Sequence, residues 1–140
     1  VKININACIL AIGFAALAGC ALEPRIVSDF NGLGTSEVAR VIAKNFLNSQ
    51  QKVEKDLMDL VNQPDILDSD EKPKKLTKLG FSCPALNQPS CIYTGQLNFR
   101  LLMPSGSVDP KNNVTKSYSI IVDYSKKPIA AKLVVETTKI

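Results

Sequence analysis

The chain has no histidine and no tryptophan. Without an imidazole there is no Ser-His-Asp or Cys-His catalysis, and the commonest zinc and copper ligand sets are excluded. No glycine-rich stretch has the spacing of a phosphate-binding loop. The nearest acidic cluster, Asp65, Asp68, Asp70 and Glu71, lacks the central glycine and terminal glutamate of a calcium loop. Two convergent carboxylates remain as a route to catalysis, but most of the acids fall on helix exteriors or within 65–71. These absences point away from an enzyme and imply neither a metal nor a cofactor. Internal repeats and low-complexity segments are missing as well.

Charge is absent from one long stretch. Lys2 is followed by Ile3 to Leu22, which holds no Asp, Glu, Lys or Arg. Its apolar core, Ala7 to Ala18, has signal-peptide length. A membrane-spanning helix needs about 20 predominantly apolar residues, reached here only by counting Asn4, Asn6 and two glycines. The stretch closes on Leu17-Ala18-Gly19-Cys20, small residues that suit the extended substrate of a signal peptidase.

That tetrapeptide resembles the lipobox of bacterial lipoproteins. The resemblance implies a thioether lipid on Cys20, cleavage after Gly19, and acylation of the new amino group. Two or three chains give a stable anchor, whereas one binds marginally at about 0.8 kcal/mol per buried methylene. An uncleaved anchor helix and an ordinary signal peptide with an incidental cysteine are the competing readings. In Gram-negative lipoproteins an Asp after the cysteine tends to mean inner-membrane retention. Ala21 stands there instead, so the resemblance implies an outer-membrane protein facing the periplasm.

Removing residues 1–19 from the 140 leaves 121, one domain by length. Lys2 goes with them, so 16 basic residues face 13 acidic ones, a net +3. That is too weak to argue for nucleic acid; the partners implied are the membrane, through the lipid on Cys20, and an envelope protein. Cys8 is lost with the leader and Cys20 takes the lipid, which leaves Cys83 and Cys91. Export favours a disulfide between them, with free thiols as the alternative. Pro84 and Pro89 stiffen the short loop toward closure, and the Cys-x-x-Cys spacing of a redox pair is missing.

Residues 20–34 read as a lipidated tether reaching at most about 50 Å, although Ile26, Val27, Phe30 and Leu33 leave open whether part of it docks. From Thr35 or Ser36, apolar positions at Val38, Val41, Ile42, Phe46, Val53, Leu57, Leu60 and Val61 hold one stripe at helical spacing. Asn48 to Lys52 leaves open one helix or two, and Pro64 ends it. Lys72 to Lys78 reads as a short solvated helix stopped by Gly80, with a polyanion patch as the sharper alternative. Period-two alternation then marks three strands: from Cys91 to Met103, from Val114 to Tyr124, and from Ile129 to Thr137. The predicted fold is α+β over 35–140. A long amphipathic helix, or a helical hairpin, opens the domain and packs on a three-stranded antiparallel meander as two layers.

This element order, with Gly34-Thr35-Ser36-Glu37-Val38 opening the first helix, resembles in outline the small lipoprotein subunits of the outer-membrane β-barrel assembly machinery. The leading expectation is a non-enzymatic envelope lipoprotein that acts as a scaffold or accessory subunit by protein contact. The chain departs in its basic loop, its extra short helix and its Cys83/Cys91 pair, and no functional residue carries over. On alternation alone, Ile92, Arg100, Leu102, Ile121 and Val134 face outward, and an apolar outward set marks a candidate docking face. The rival use is ligand binding or inhibition through the 83–91 loop.

Overall fold

The computed structural model describes residues 25–84, 87–103, 105–106 and 113–139. Leu17 to Cys20, and with them the lipid-attachment site, lie outside those residues. The chain enters the described region as a strand, β1 (Arg25–Asp29), followed by a 3-10 turn at Asn31–Leu33. Four helices follow: α1 (Glu37–Asn45), α2 (Gln50–Val61), α3 (Pro64–Leu67) and α4 (Lys72–Leu79). The last three strands are β2 (Ser90–Leu102), β3 (Val114–Asp123) and β4 (Ala130–Lys139). All pair antiparallel with their neighbours in the order β1-β2-β3-β4.

This corrects the predicted fold in two respects. The sheet has four strands and not three, and the leading element is a strand and not a long helix. Arg25–Asp29 pairs residue by residue with Leu102 to Asn98, so Asn98 and Phe99 have a neighbour on each side and the last three residues of β2 pair with β1 alone. Ile26 and Val27 favour extended backbone, being β-branched. Five residues are too few to display a period, which is why the pairing was hidden within an apparent tether.

The helical stripe breaks at Phe46–Ser49 for a local reason. The Ser49 hydroxyl accepts from Lys52 N at 3.3 Å and starts a second helix, as Ser36 does for the first by accepting from Ala39 N at 3.2 Å. Between them Asn45 is buried at 3% exposure. Its amide donates to Val41 O and to Asp56 Oδ2, both at 2.9 Å, and its Oδ1 accepts from Asn48 at 2.8 Å. A buried amide satisfied in this way fixes the turn and ties the two helices together.

Helices α1 and α2 cover one face of the sheet. Val38, Ile42, Val53, Leu57 and Val61 meet Tyr93, Leu97, Tyr118, Ile120, Val122 and Leu133 in a single core. The outer edge of β4 would otherwise offer free backbone groups, and α2 side chains occupy part of it. Asn62 exchanges two hydrogen bonds with the Ile129 backbone, at 2.7 and 3.0 Å, and Gln50 donates to Leu133 O at 3.1 Å. Met58 Sδ lies 3.3 Å from Ala131 N, between these two contacts.

At the other end of the crossover, Gly80 closes α4 in the left-handed region at φ +115°. A Cβ there would collide with the Ser36 side chain. Phe81 is then buried, and Ser82 forms a bridge with Ile92 through bonds of 2.7 and 2.8 Å. The Cys83–Cys91 disulfide sits beside this bridge and fastens the crossover to the start of β2. The loop it closes is short, so the constraint on the unfolded chain amounts to about 2.5 kcal/mol. Cys83→Ala/Cys91→Ala is therefore expected to lower unfolding free energy by about that amount in a denaturant titration. An unchanged midpoint would show that the bridge and Phe81 hold the crossover without the disulfide.

Candidate functional site

Strand pairing turns the even-numbered residues of β2 toward the face opposite the helices. Ile92 stands directly across from Ile121. Ile92 gives its backbone bonds to Ser82, so this is a non-hydrogen-bonded pair, the type in which side chains approach most closely. Val134 pairs with Ser119, two residues from Ile121, and so lies diagonal to it on the next strand. Their exposures are 39%, 45% and 42%.

Arg100 and Leu102 share the outward phase of β2 but stand elsewhere. Arg100 stands eight positions on from Ile92, about 27 Å along a strand. The polar side chains of Thr94, Gln96 and Asn98 fall between them. The five candidates therefore divide into an apolar trio near the disulfide and a second group near β1. Pairing places Arg100 across from Val27 and Leu102 across from Arg25. Val27, 45% exposed, is an outward residue that sequence reasoning missed. Its signal was the Ile26-Val27 pair, too short to assign to a face.

Between the two groups lies an open depression of about 410 Å³. Thr94, Gln96, Ser117, Ser119, Val134 and Glu136 line it, with Gly32 at its rim. Hydroxyls and amides there supply donors and acceptors beside the apolar trio. Another depression, about 220 Å³, lies near the α1–α2 turn against Lys116, Val135 and Thr137. Neither contains a residue of the 83–91 loop. The stem of that loop is held instead, since Tyr124 N donates to Pro89 O at 2.9 Å and Tyr124 Oη to Gln88 O at 3.3 Å.

Behind the depression, Tyr93 Oη donates to Leu33 O at 2.6 Å within the core. This bond fixes the Asn31–Leu33 turn against β2. Gly95 has to lack a side chain there, because a Cβ would come to 2.5 Å from Tyr93 Oη and 3.2 Å from Leu33 Cδ2. Burial, and then the neighbouring Tyr118, push the Tyr93 phenol up from 10.0 to about 12; burial also raises Tyr118. Hydrogen bonds from Ser125 hold the Asp123 carboxylate below its usual range, and those from Lys52 and Asn45 do so for Asp56. Among the described residues no group of three or more Cys, Asp or Glu could hold a metal ion. No helix of the described residues is long and apolar enough to cross a membrane.

The chain matches no family model, and no similar chain is found among curated proteins or solved structures.

A raised phenol pKa means that the folded state keeps its proton longer than the unfolded one. The stabilising contribution of Tyr93 is thus complete below pH 10 and is lost as pH rises toward about 12. Tyrosinate absorbance in an alkaline titration should show a late phase that Tyr93→Phe reduces. The same substitution should lower stability by about 1 kcal/mol through loss of the bond to Leu33.

Proposed function

We propose that the chain is an envelope lipoprotein, held in the membrane by lipid on Cys20, that works by protein–protein contact as a scaffold or accessory subunit. Its place is the outer membrane, facing the periplasm, on the strength of Leu17-Ala18-Gly19-Cys20 followed by Ala21. It performs no chemistry on a substrate. The docking surface is the outer face of the sheet, and the observation behind it is the adjoining exposure of Ile92, Ile121 and Val134 on three neighbouring strands. Single exposed apolar side chains need no explanation, whereas a contiguous group of them marks a contact surface. The polar depression beside the trio supplies the hydrogen-bonding rim such an interface uses. Inhibition or ligand binding through the 83–91 loop has less support, because its stem is bound to β2 and to Tyr124.

Two measurements test the two halves of the proposal. Metabolic labelling with a fatty-acid analogue should mark the wild-type chain and not Cys20→Ser; undiminished labelling of the variant would remove the anchor. Ile92→Thr/Ile121→Thr keeps two β-branched residues in place, so thermal unfolding should stay within about 1 kcal/mol of wild type. Crosslinking in membranes should then recover the partner about tenfold less well, as expected for residues at the centre of an interface. Equal recovery would place the docking surface elsewhere.

A further inference from the structure

We propose that one end of the sheet rests on the bilayer surface: the end that carries Arg25, Leu102 and Lys139, with Leu47 and Ile26 entering the headgroup layer. This rests on the reading that Cys20 carries the lipid. Only four residues, 21–24, separate Cys20 from Arg25, the first residue of β1. An extended chain of that length spans about 17 Å, so the sheet end at Arg25 cannot stand far from the membrane. Pairing gathers Leu102, Val114 and Lys139 at the same end. The disulfide end of β2 lies thirteen residues along the strand, about 40 Å further out.

The surface at the near end suits a lipid interface. Leu47 and Ile26 are the most exposed large apolar side chains of the described residues, at 71% and 60%. Helix α1 stops at Asn45, leaving Phe46 to cover Phe99 and Phe30, each with ring centroids 5.3 Å apart. Leu47 follows Phe46 in the turn between the helices and is exposed. Four cations belong to this end: Arg25 beside Ile26, Lys44 in the last turn of α1, Lys116, whose Nζ lies 5.4 Å from the centre of the Phe99 ring, and Lys139 across from Val114. None of the four has a salt-bridge partner among the described residues. Apolar groups that insert, with cations near them that lack a salt-bridge partner among the described residues, match an anionic membrane surface.

A second copy is the other occupant to weigh. Arg25-Ile26-Val27-Ser28-Asp29 is charge-complementary to itself when reversed, with Arg25 facing Asp29 twice about a two-fold at Val27. That pairing is antiparallel, however, and turns the two Arg25 ends in opposite directions. Two chains standing upright on one bilayer would not pair that way, and the short link to Cys20 together with the cations at this end favours the bilayer as its occupant. The apolar trio at Ile92, Ile121 and Val134 is thereby lifted clear of the lipid, where a partner can reach it.

The lack of Trp makes the test direct. Leu47→Trp, Ile26→Trp and Ile121→Trp each give the full chain a single indole. Each is purified from membranes and reconstituted in vesicles of equal parts phosphatidylethanolamine and phosphatidylglycerol with brominated acyl chains. Emission from Leu47→Trp and Ile26→Trp should be blue-shifted and quenched about twofold or more, because the rings lie at the acyl boundary. Emission from Ile121→Trp should be unaffected. Equal quenching at all three positions, or none at Leu47→Trp, would overturn the proposal. A blue shift at Leu47→Trp without quenching would overturn it too, by showing a protein, such as a second copy, on that surface. The mass of Cys20 in the same samples separates the two ideas: lipidated and unquenched removes only the membrane seat, while an unlipidated chain removes both.

Discussion

The inner face of the sheet has to be kept from water, and the rest of the molecule is arranged around doing so. Tyr93, Leu97, Tyr118, Ile120, Val122 and Leu133 all point to that face and are buried at 6% exposure or less. Burying side chains of this size is worth about 1.5–3 kcal/mol each. The ion pairs among the described residues are small beside that: four of those five join residues of one helix or its cap, most are largely exposed, and such pairs contribute about 0.2–1 kcal/mol each. Packing therefore decides the fold. The α1–α2 hairpin covers most of the face, the Asn31–Leu33 turn plugs it beside Tyr93, and Phe81, held by the disulfide-bonded crossover, closes the remaining end.

What could be read in the sequence was whatever repeats. Cys91, Tyr93 and Leu97 alternate with Ile92, Thr94 and Gln96, and that segment is a strand with those two sets on opposite faces. The apolar stripe from Val38 to Val61 marks a helical face, but its phase is the same for one helix or two. The choice was made by the Ser49 hydroxyl and the buried Asn45 amide, single side chains that carry no period. β1 was hidden because its structure comes from a distant partner: Arg25–Asp29 is extended because Asn98–Leu102 offers it a ladder. For the site, alternation identifies outward residues, but their grouping depends on register. Ile92 meets Ile121 while Arg100 meets Val27, and neither pairing follows from the local sequence.

The two faces of the sheet have different physical tasks. One is committed to the core; the other keeps three apolar side chains and a polar depression at its surface. The proposed docking role rests on this second face, where Ile92, Ile121 and Val134 stand exposed beside the polar depression. The added strand also changes the geometry of the anchor. With β1 starting at Arg25, four residues, and not fourteen, connect the sheet to Cys20. With lipid on Cys20 as proposed, a reach of about 17 Å in place of about 50 Å would give the domain a defined membrane-facing end.

That conclusion depends on β1 being part of the sheet, and amide hydrogen exchange tests this strand with an internal control. The register and the Ile92–Ser82 bridge turn the amides of Val27 and Asp29 toward β2, and those of Ile26 and Ser28 toward the open edge. Val27 and Asp29 are expected to exchange at least about tenfold more slowly than Ile26 and Ser28. Uniformly fast exchange across 25–29, at the rate of an unstructured peptide, would contradict the account and return the segment to a tether.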